Sequence, residues 1–107
     1  MRMWMVDVKK MCRKHLLGEH NEIHKHRHVF VKHQSIKGRV GQIEPKSMEV
    51  RHDELAKEMI RRGYNHMSPY VQPDLSHYVD EKNWEVDIEN NIKDLTSRCP
   101  ECKKMFE

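Results

Sequence analysis

Long apolar runs are missing from this sequence of 107 residues, and cysteine, glycine, proline and aromatic residues are all few. No run approaches the ~18 apolar residues that a membrane-spanning helix needs, so no transmembrane segment is predicted. A signal peptide needs an apolar core of about seven residues or more, and Asp7, Lys9 and Lys10 interrupt any such core here. We therefore expect the opening segment MRMWMV to stay in the mature protein.

The low cysteine content also limits the class of protein. The three cysteines are an odd number, and no secretory signal precedes them. That combination argues against a disulfide scaffold and favours a reducing compartment. We expect a cytoplasmic protein.

The residues that are present fit one small helical domain. The composition is 36% hydrophobic and 35% charged, which suffices for a modest core. The formal net charge of +3 permits nucleic-acid binding without requiring it. We expect a monomer with a single domain over residues 1–107, in which 97–107 form a cysteine-containing C-terminal tail.

Hydrophobic periodicity predicts three amphipathic helices and therefore an all-α fold. The first covers residues 12–33, the second runs from about 45–47 to a stop at Gly63, and the third begins near Asp80. At ~100° per residue, Gly18, Glu22 and Lys25 lie on the side of the first helix away from its apolar stripe, so Glu22 is expected to face out of the core. The three predicted stripes are Leu16, Ile23 and Phe30; Met48, Leu55 and Met59; and Trp84, Ile88, Ile92 and Leu95.

A histidine-rich segment on the first helix suggests a metal site. His20 and His24, four residues apart, can bind one zinc ion from one helical face, and His52 on the second helix can supply a third ligand. Such a site would make the protein a metal-dependent hydrolase. The alternative interpretation is that these histidines satisfy hydrogen bonds at the edge of the core.

The CPEC segment near the end provides a second candidate site. Cys99 and Cys102 have the spacing of half a zinc site, but no second CxxC completes it. Closure would require Cys12, His77 or another subunit. Two interpretations stay open: a structural zinc site, or two thiols without a metal.

Two longer motifs, HLLGEHNEI and RHDELAKEMIRRGYN, lie on the first two predicted helices. Together they resemble the phage-type pyrimidine-dimer DNA glycosylases with AP-lyase activity, whose helices carry HL..E..EL and R..EL..E.LKRG[FY]N. The resemblance covers roughly residues 1–75. The matching positions are His15, Leu16, Glu19, Glu22 and Ile23 in the first motif, and Arg51, Glu54, Leu55, Glu58, Arg62, Gly63, Tyr64 and Asn65 in the second.

The resemblance implies a catalytic pair. Members of that family are compact, all-helical proteins that use their N-terminal α-amine as the nucleophile and a Glu of the first helix as the catalytic carboxylate. In a gap-free alignment these roles fall on Met1 and Glu22, and a neighbouring basic residue falls on Arg2. Because Arg2 is too bulky for the usual removal of an initiator Met, we expect Met1 to be retained. The first six residues would then be part of the active site, held against the first helix by Met3 and Trp4, and catalysis would require no cofactor.

The partner implied by the resemblance is double-stranded DNA that contains a lesion or an abasic site. The function implied is a DNA repair glycosylase and AP lyase of a bacterium or a phage-infected cell. An alternative from a different class is a non-catalytic protein that binds DNA or a nucleotide on the same helical scaffold. The residues expected to bind DNA are Arg2, Arg13 and Lys25, together with Asn21, where the family has a basic residue.

Overall fold

The computed structural model describes residues 2–65 and 69–107. Within these ranges the chain forms α-helices and short 3-10 turns and contains no strand, which confirms the predicted all-α class. No helix in the described ranges is long and apolar enough to cross a membrane. The α-helices are α1 (Arg13–Val31), α2 (Met48–Arg61), α3 (Ile88–Arg98) and α4 (Pro100–Phe106).

Helix α1 agrees with its predicted bounds to within two residues. Its apolar stripe of Leu16, Ile23 and Phe30 is fully buried and forms the centre of the core. Cys12 lies at the N-cap position with extended backbone, and the helix ends just before His33, which adopts a left-handed φ of 54°. The 3.6-residue period of the sequence therefore placed this helix correctly.

Helix α2 also follows its predicted pattern. A 3-10 turn at Pro45–Ser47 leads into it, and Gly63, with φ 86°, ends it by a left-handed cap. The amide of Tyr64 closes this cap by donating to the carbonyl of Met59 over 2.9 Å. Met48, Leu55 and Met59 are buried against the stripe of α1, as predicted.

The predicted start of the third helix near Asp80 is wrong. Helix α3 begins at Ile88, where the side chain of Asp87 accepts a hydrogen bond of 3.1 Å from the amide of Asn90 and caps the helix. Trp84 precedes the helix and packs on the core from a 3-10 turn at Glu81–Asn83. The four-residue spacing between Trp84 and Ile88 imitates a helical turn that the chain does not make.

The predicted C-terminal tail contains helix α4. Pro100 occupies its first turn, and the sulfur of Cys99 accepts a hydrogen bond from the amide of Cys102 over 3.4 Å. Cys102 is fully buried in the core. Helix α4 packs against α3 and against the 3-10 turn Val8–Lys10 near the start of the chain.

The N-terminal segment packs against the helices, as predicted. Met3 is fully buried, and its amide donates to the carbonyl of Gln42 over 2.7 Å. The side-chain amide of Asn91 on α3 donates to the carbonyl of Trp4 over 2.9 Å. These contacts fix an irregular segment between α1, α3 and the loop that follows α1.

Arg62 at the end of α2 holds the same segment from the other side. Its guanidinium donates to the carbonyls of Val8 and Met11 over 3.0 and 2.8 Å. The buried carboxylate of Glu58 accepts hydrogen bonds from Arg62 and from Arg61, both over 2.7 Å or less. Glu58 thus orients the side chain that anchors the N-terminal segment.

We expect Glu58→Gln to lower the free energy of unfolding at pH 7 by about 1–2 kcal/mol, because it removes a charged acceptor from two guanidinium groups. Hydrogen bonds from Arg61, and then from Arg62, hold the pKa of Glu58 at about 2, below its ordinary value of 4.5. A lowered carboxyl pKa stabilises the fold above the ordinary value, and this stabilisation is lost as the pH falls from 4.5 towards 2. Urea unfolding of both proteins over this pH range measures the difference.

The matched control is Glu54→Gln, on the exposed side of the same helix. It should change stability little at any pH. A gap between wild type and Glu58→Gln that stays constant down to pH 3 would contradict the role given to Glu58.

Candidate active site

A pocket of about 370 Å³ lies between α1, the N-terminal segment and the end of α3. Helix α1 contributes one face of it, because residues three and four apart on a helix share a side. The lining residues are Arg2 and Trp4 from the N-terminal segment; Lys14, His15, Gly18, Glu19 and Glu22 from α1; Gln42 from the following loop; and Arg98 from α3.

Glu22 lies at this pocket and is only 7% exposed. Helical geometry predicted that it faces out of the core, but the structure buries it at the pocket, so it is not a solvated surface carboxylate. It also borders a second cavity of about 310 Å³, which His26 and Arg39 line. Glu22 is therefore a buried carboxylate at the junction of two cavities.

Of two basic side chains near Glu22, one is charged at pH 7 and the other is neutral. Lys25 Nζ lies 3.3 Å from Glu22 Oε1, with 71% of the lysine side chain exposed. Burial, followed by the charge of Arg39, lowers the pKa of His26 to about 4, so this neighbour is neutral at pH 7. At pH 7 the positive charge beside Glu22 therefore comes from Lys25 and not from the imidazole of His26.

Gly18 lies one turn before Glu22 on the same face of α1. A Cβ atom added at Gly18 would have no protein atom within 4 Å. Protein packing therefore leaves room at this position, and the space is part of the pocket beside Glu22.

Glu19 and Arg51 form a buried ion pair that joins α1 to α2. The guanidinium Nε and one terminal nitrogen donate to the two carboxylate oxygens over 2.6 and 2.9 Å. Both side chains are almost completely buried. The two residues matched separate family motifs, and the structure shows that they pair with each other; their contact fixes the helix that carries Glu22.

The structure brings only some of the predicted DNA-binding residues to the pocket. Arg2 lines it, donates to Asn91 over 3.1 Å, pairs with Asp94 over 3.0 Å and lies over the ring of Trp4. Lys25 does not line the pocket, but it forms an ion pair with Glu22, which does.

The other predicted residues lie elsewhere. Arg13 is exposed and lies over the ring of Tyr64, and Asn21 is exposed next to Glu22 in the chain; neither lines the pocket. Met1, the predicted nucleophile, lies outside the described residues. Two pocket residues, Gln42 and Arg98, were not identified from the sequence, because they come from segments without a motif.

A thiol cluster adjoins the pocket at His15. Cys12, His15, Cys99 and Cys102 place their ligand atoms within 4.8 Å of one another, close enough to hold a metal ion. The sequence left the partners of the CPEC pair open, and Cys12 is one of those suggested. His77 is not part of the cluster and stacks on His33 at 4.4 Å.

The pKa shifts in this cluster differ in direction from one ligand to the next. Burial opposes the charged form of Cys99, but hydrogen bonds from Cys102 and Cys12 outweigh it and leave the pKa of that thiol below its ordinary value. Burial raises the pKa of the Cys102 thiol to about 12. Burial, and then the charge of Lys14, lowers the pKa of His15 below 6.5.

A histidine cluster lies between α1 and α2, formed by His20, His24 and His52, whose nitrogens also lie within 4.8 Å of one another. The Nε2 atoms of His20 and His52 are 3.1 Å apart. Asp53 approaches the Nδ1 of His52 at 3.1 Å, and the ring of Tyr70 stacks on His52. The sequence correctly placed these three histidines together, but none of them lines the pocket at Glu22.

The N-terminal segment and all of the pocket residues except Arg98 lie in a region that matches a known protein family. The family model described as pyrimidine dimer DNA glycosylase matches residues 1–71, a region that includes α1, α2 and the N-terminal segment. Neither a curated protein nor a solved structure matches the chain significantly. The match covers well over half of the chain, and so the chain belongs to the pyrimidine dimer DNA glycosylase family.

Proposed function

We propose that this protein is a DNA glycosylase with AP-lyase activity, in which the α-amine of Met1 and the carboxylate of Glu22 carry the reaction. One observation supports the proposal most: Glu22, Gly18 and Arg2 line the same pocket, and Arg2 is the covalent neighbour of Met1. At about 370 Å³ the pocket falls in the size range of small-ligand sites. Such a site has room for one sugar and its phosphates.

The amine is a reasonable nucleophile at neutral pH. An α-amine has a pKa near 7.7–8.0, so about a tenth or more of it is unprotonated at pH 7. Its nitrogen attacks C1′ of the deoxyribose, the C1′–N bond to the base breaks, and the base leaves with the electron pair and takes up a proton. Loss of the amine proton and opening of the sugar ring then give an imine between Met1 and C1′.

The imine permits strand cleavage by β-elimination. A proton leaves C2′, the C3′–O bond breaks, and the 3′ phosphate departs with the electron pair. Water then hydrolyses the imine and releases the amine. In this scheme Glu22 stabilises the cationic sugar and carries protons to and from it.

Basic residues around the pocket supply a site for phosphates. Arg2, Lys14 and Arg98 line it, and Lys25 lies at the carboxylate. Guanidinium groups suit phosphate oxygens because they donate in a planar fork. The arrangement favours a sugar–phosphate backbone as the ligand.

The proposed chemistry requires no metal ion. A zinc ion at the CPEC thiols would therefore stabilise the fold and take no part in the reaction. We further propose that the protein acts as a monomer in the reducing cytoplasm of a bacterium or a phage-infected cell.

Incision assays test the function. Duplexes that contain a thymine dimer or an abasic site, and an undamaged duplex of the same sequence, are incubated with the untagged protein. We expect cleavage of the abasic duplex, and of the dimer duplex if the pyrimidine dimer is the substrate, with the undamaged duplex intact. Tight binding to these duplexes without cleavage of any of them would favour the non-catalytic alternative.

The affinity for an abasic duplex should fall steeply with salt, because the basic residues displace counterions from phosphates. Three phosphate contacts give a slope of about −2.7 in log K against log salt, or roughly 40-fold between 50 and 200 mM. Lys25→Ala should reduce that slope by about one unit. Fluorescence anisotropy at several salt concentrations measures both effects.

Lys57→Ala provides the control, because Lys57 is exposed on α2, which does not contribute to the pocket. It should leave the slope unchanged. An affinity that is constant between low and moderate salt would contradict the proposal that DNA is the ligand.

A further inference from the structure

Two pairs of metal-ligating residues meet where the beginning and the end of the chain come together. Cys12 and His15 are three residues apart at the start of α1, and Cys99 and Cys102 are three residues apart at the start of α4. Each pair has two residues between its ligands, a spacing common in zinc sites. The pairs are far apart in sequence, so only the folded chain joins them.

The distances agree with a tetrahedral site. With Zn–S bonds of about 2.3 Å and Zn–N bonds of about 2.0–2.1 Å, a tetrahedron has S–S edges of about 3.8 Å and S–N edges of about 3.6 Å. The sulfurs of Cys12 and Cys99 are 3.8 Å apart, and His15 Nδ1 lies 3.2 Å from Cys12 Sγ and 3.7 Å from Cys102 Sγ. Two of these three distances match the tetrahedral edges, the third is shorter, and every other pair of ligand atoms lies within 4.8 Å, so small side-chain adjustments would bring all four ligands onto one zinc ion.

Backbone amides orient the sulfurs. The amide of Cys12 donates to Cys102 Sγ over 3.3 Å, and the amide of Cys102 donates to Cys99 Sγ over 3.4 Å. Such N–H···S contacts are typical around metal-bound thiolates, where they fix the ligands and spread their charge. Cys12 and Cys102 are also buried, while His15 and Cys99 are half-buried, so the site is partly shielded from solvent.

A disulfide and an iron–sulfur cluster both fit this group of side chains less well than zinc does. A disulfide needs sulfurs about 2.05 Å apart, and one between Cys12 and Cys99 would leave Cys102 and His15 unused. Iron–sulfur clusters of the common types take four thiolates, whereas this cluster offers three thiolates and one imidazole. Three sulfurs and one nitrogen are a ligand set of structural zinc.

We propose that Cys12, His15, Cys99 and Cys102 bind one structural zinc ion that fastens α4 to the start of α1. Four protein ligands leave no open position for water or substrate, so this ion has no catalytic role. His15 also lines the pocket at Glu22, and the ion therefore fixes one wall of that pocket. Half of the ligands lie beyond residue 71, outside the region that the family model matches.

Metal analysis of the full, untagged chain tests this site. We expect about one zinc ion per chain after dialysis, reduced to below about a tenth in Cys99→Ser and Cys102→Ser. His15→Cys, which replaces one zinc ligand by another, should retain the ion, whereas His15→Ala should lose it. Cobalt(II) substitution should give a thiolate-to-metal charge-transfer band that strengthens in His15→Cys.

The histidine cluster supplies the matched control. His52→Asn removes a ligand atom from that cluster and should leave the zinc content of the thiol site unchanged. Zinc that persists in both cysteine variants and disappears in His52→Asn would assign the metal to the histidines and overturn the proposal. Protein isolated without zinc, or with a Cys12–Cys99 disulfide identified by mass spectrometry, would overturn it as well.

Wild-type measurements keep the test decisive if the cysteine variants do not fold. Zinc should be released as thiol reagents modify the three cysteines, and a chelator should accelerate that modification. Removal of zinc should lower the melting temperature by at least about 10 °C, because binding energy at such a site is also folding energy. Three thiols that react at the same rate with and without chelator would contradict the site.

Discussion

Glu22→Gln will reduce glycosylase turnover by at least about 100-fold while the fold and most of the DNA affinity remain. Glutamine preserves the shape of the side chain but cannot carry a proton or stabilise a cationic sugar. The substitution also removes the ion pair with Lys25, whose exposed side chain limits the cost to less than about 1 kcal/mol. Single-turnover kinetics on a damaged duplex, together with urea unfolding, separate the two effects.

The neighbouring carboxylate on the same helix gives a sharp comparison. Glu19→Gln breaks a buried ion pair with Arg51, and the expected cost is about 3 kcal/mol or more in stability. Glu22→Gln should therefore impair turnover without unfolding the protein, and Glu19→Gln should impair stability first. Near wild-type turnover in Glu22→Gln would rule out the role proposed for this residue.

Blocking the α-amine of Met1 should abolish AP-lyase activity, with a loss of at least about 100-fold. An acetyl group removes the nucleophilic lone pair outright. One extra residue before Met1 moves the amine by about 3.8 Å, which is enough to spoil attack at C1′. Cleavage of an abasic duplex by the blocked and the native proteins measures the effect.

One extra residue at the C-terminus is the control, because it lengthens the chain equally and leaves the α-amine intact. DNA affinity should be similar in all four proteins, namely the native, acetylated, N-terminally extended and C-terminally extended forms, since the basic side chains are unchanged. Mass spectrometry of the native protein first establishes that Met1 is its first residue. Full lyase activity in the acetylated protein would exclude the amine as the nucleophile.

The first two helices could be predicted because their stripes repeat with the helical period. Leu16, Ile23 and Phe30 recur every seven residues and are buried as expected. The third helix was misplaced because Trp84 continues the periodic pattern of α3 by chance, and the cap at Asp87 overrides it. Hydrophobic periodicity thus predicts that a helix exists more reliably than it predicts the residue at which the helix begins.

The candidate site was predicted in part and for identifiable reasons. Helical geometry placed Gly18 and Glu22 on one face, and the family motifs singled out Glu22 among the acidic residues. Arg98 and Gln42 reach the pocket only through the packing of α3 and of the loop after α1, which no local motif records. His15 likewise lies beside Cys99 and Cys102 only because the fold brings the start of α1 and the start of α4 together.

Borohydride trapping tests the central claim most directly. Reduction of an imine converts it to a stable amine, which links the protein covalently to an abasic duplex. We predict that the untagged protein will be trapped, and that peptide mass mapping will locate the adduct on the α-amine of Met1. An adduct on a lysine side chain, or no adduct on any damaged duplex, would contradict the proposed mechanism.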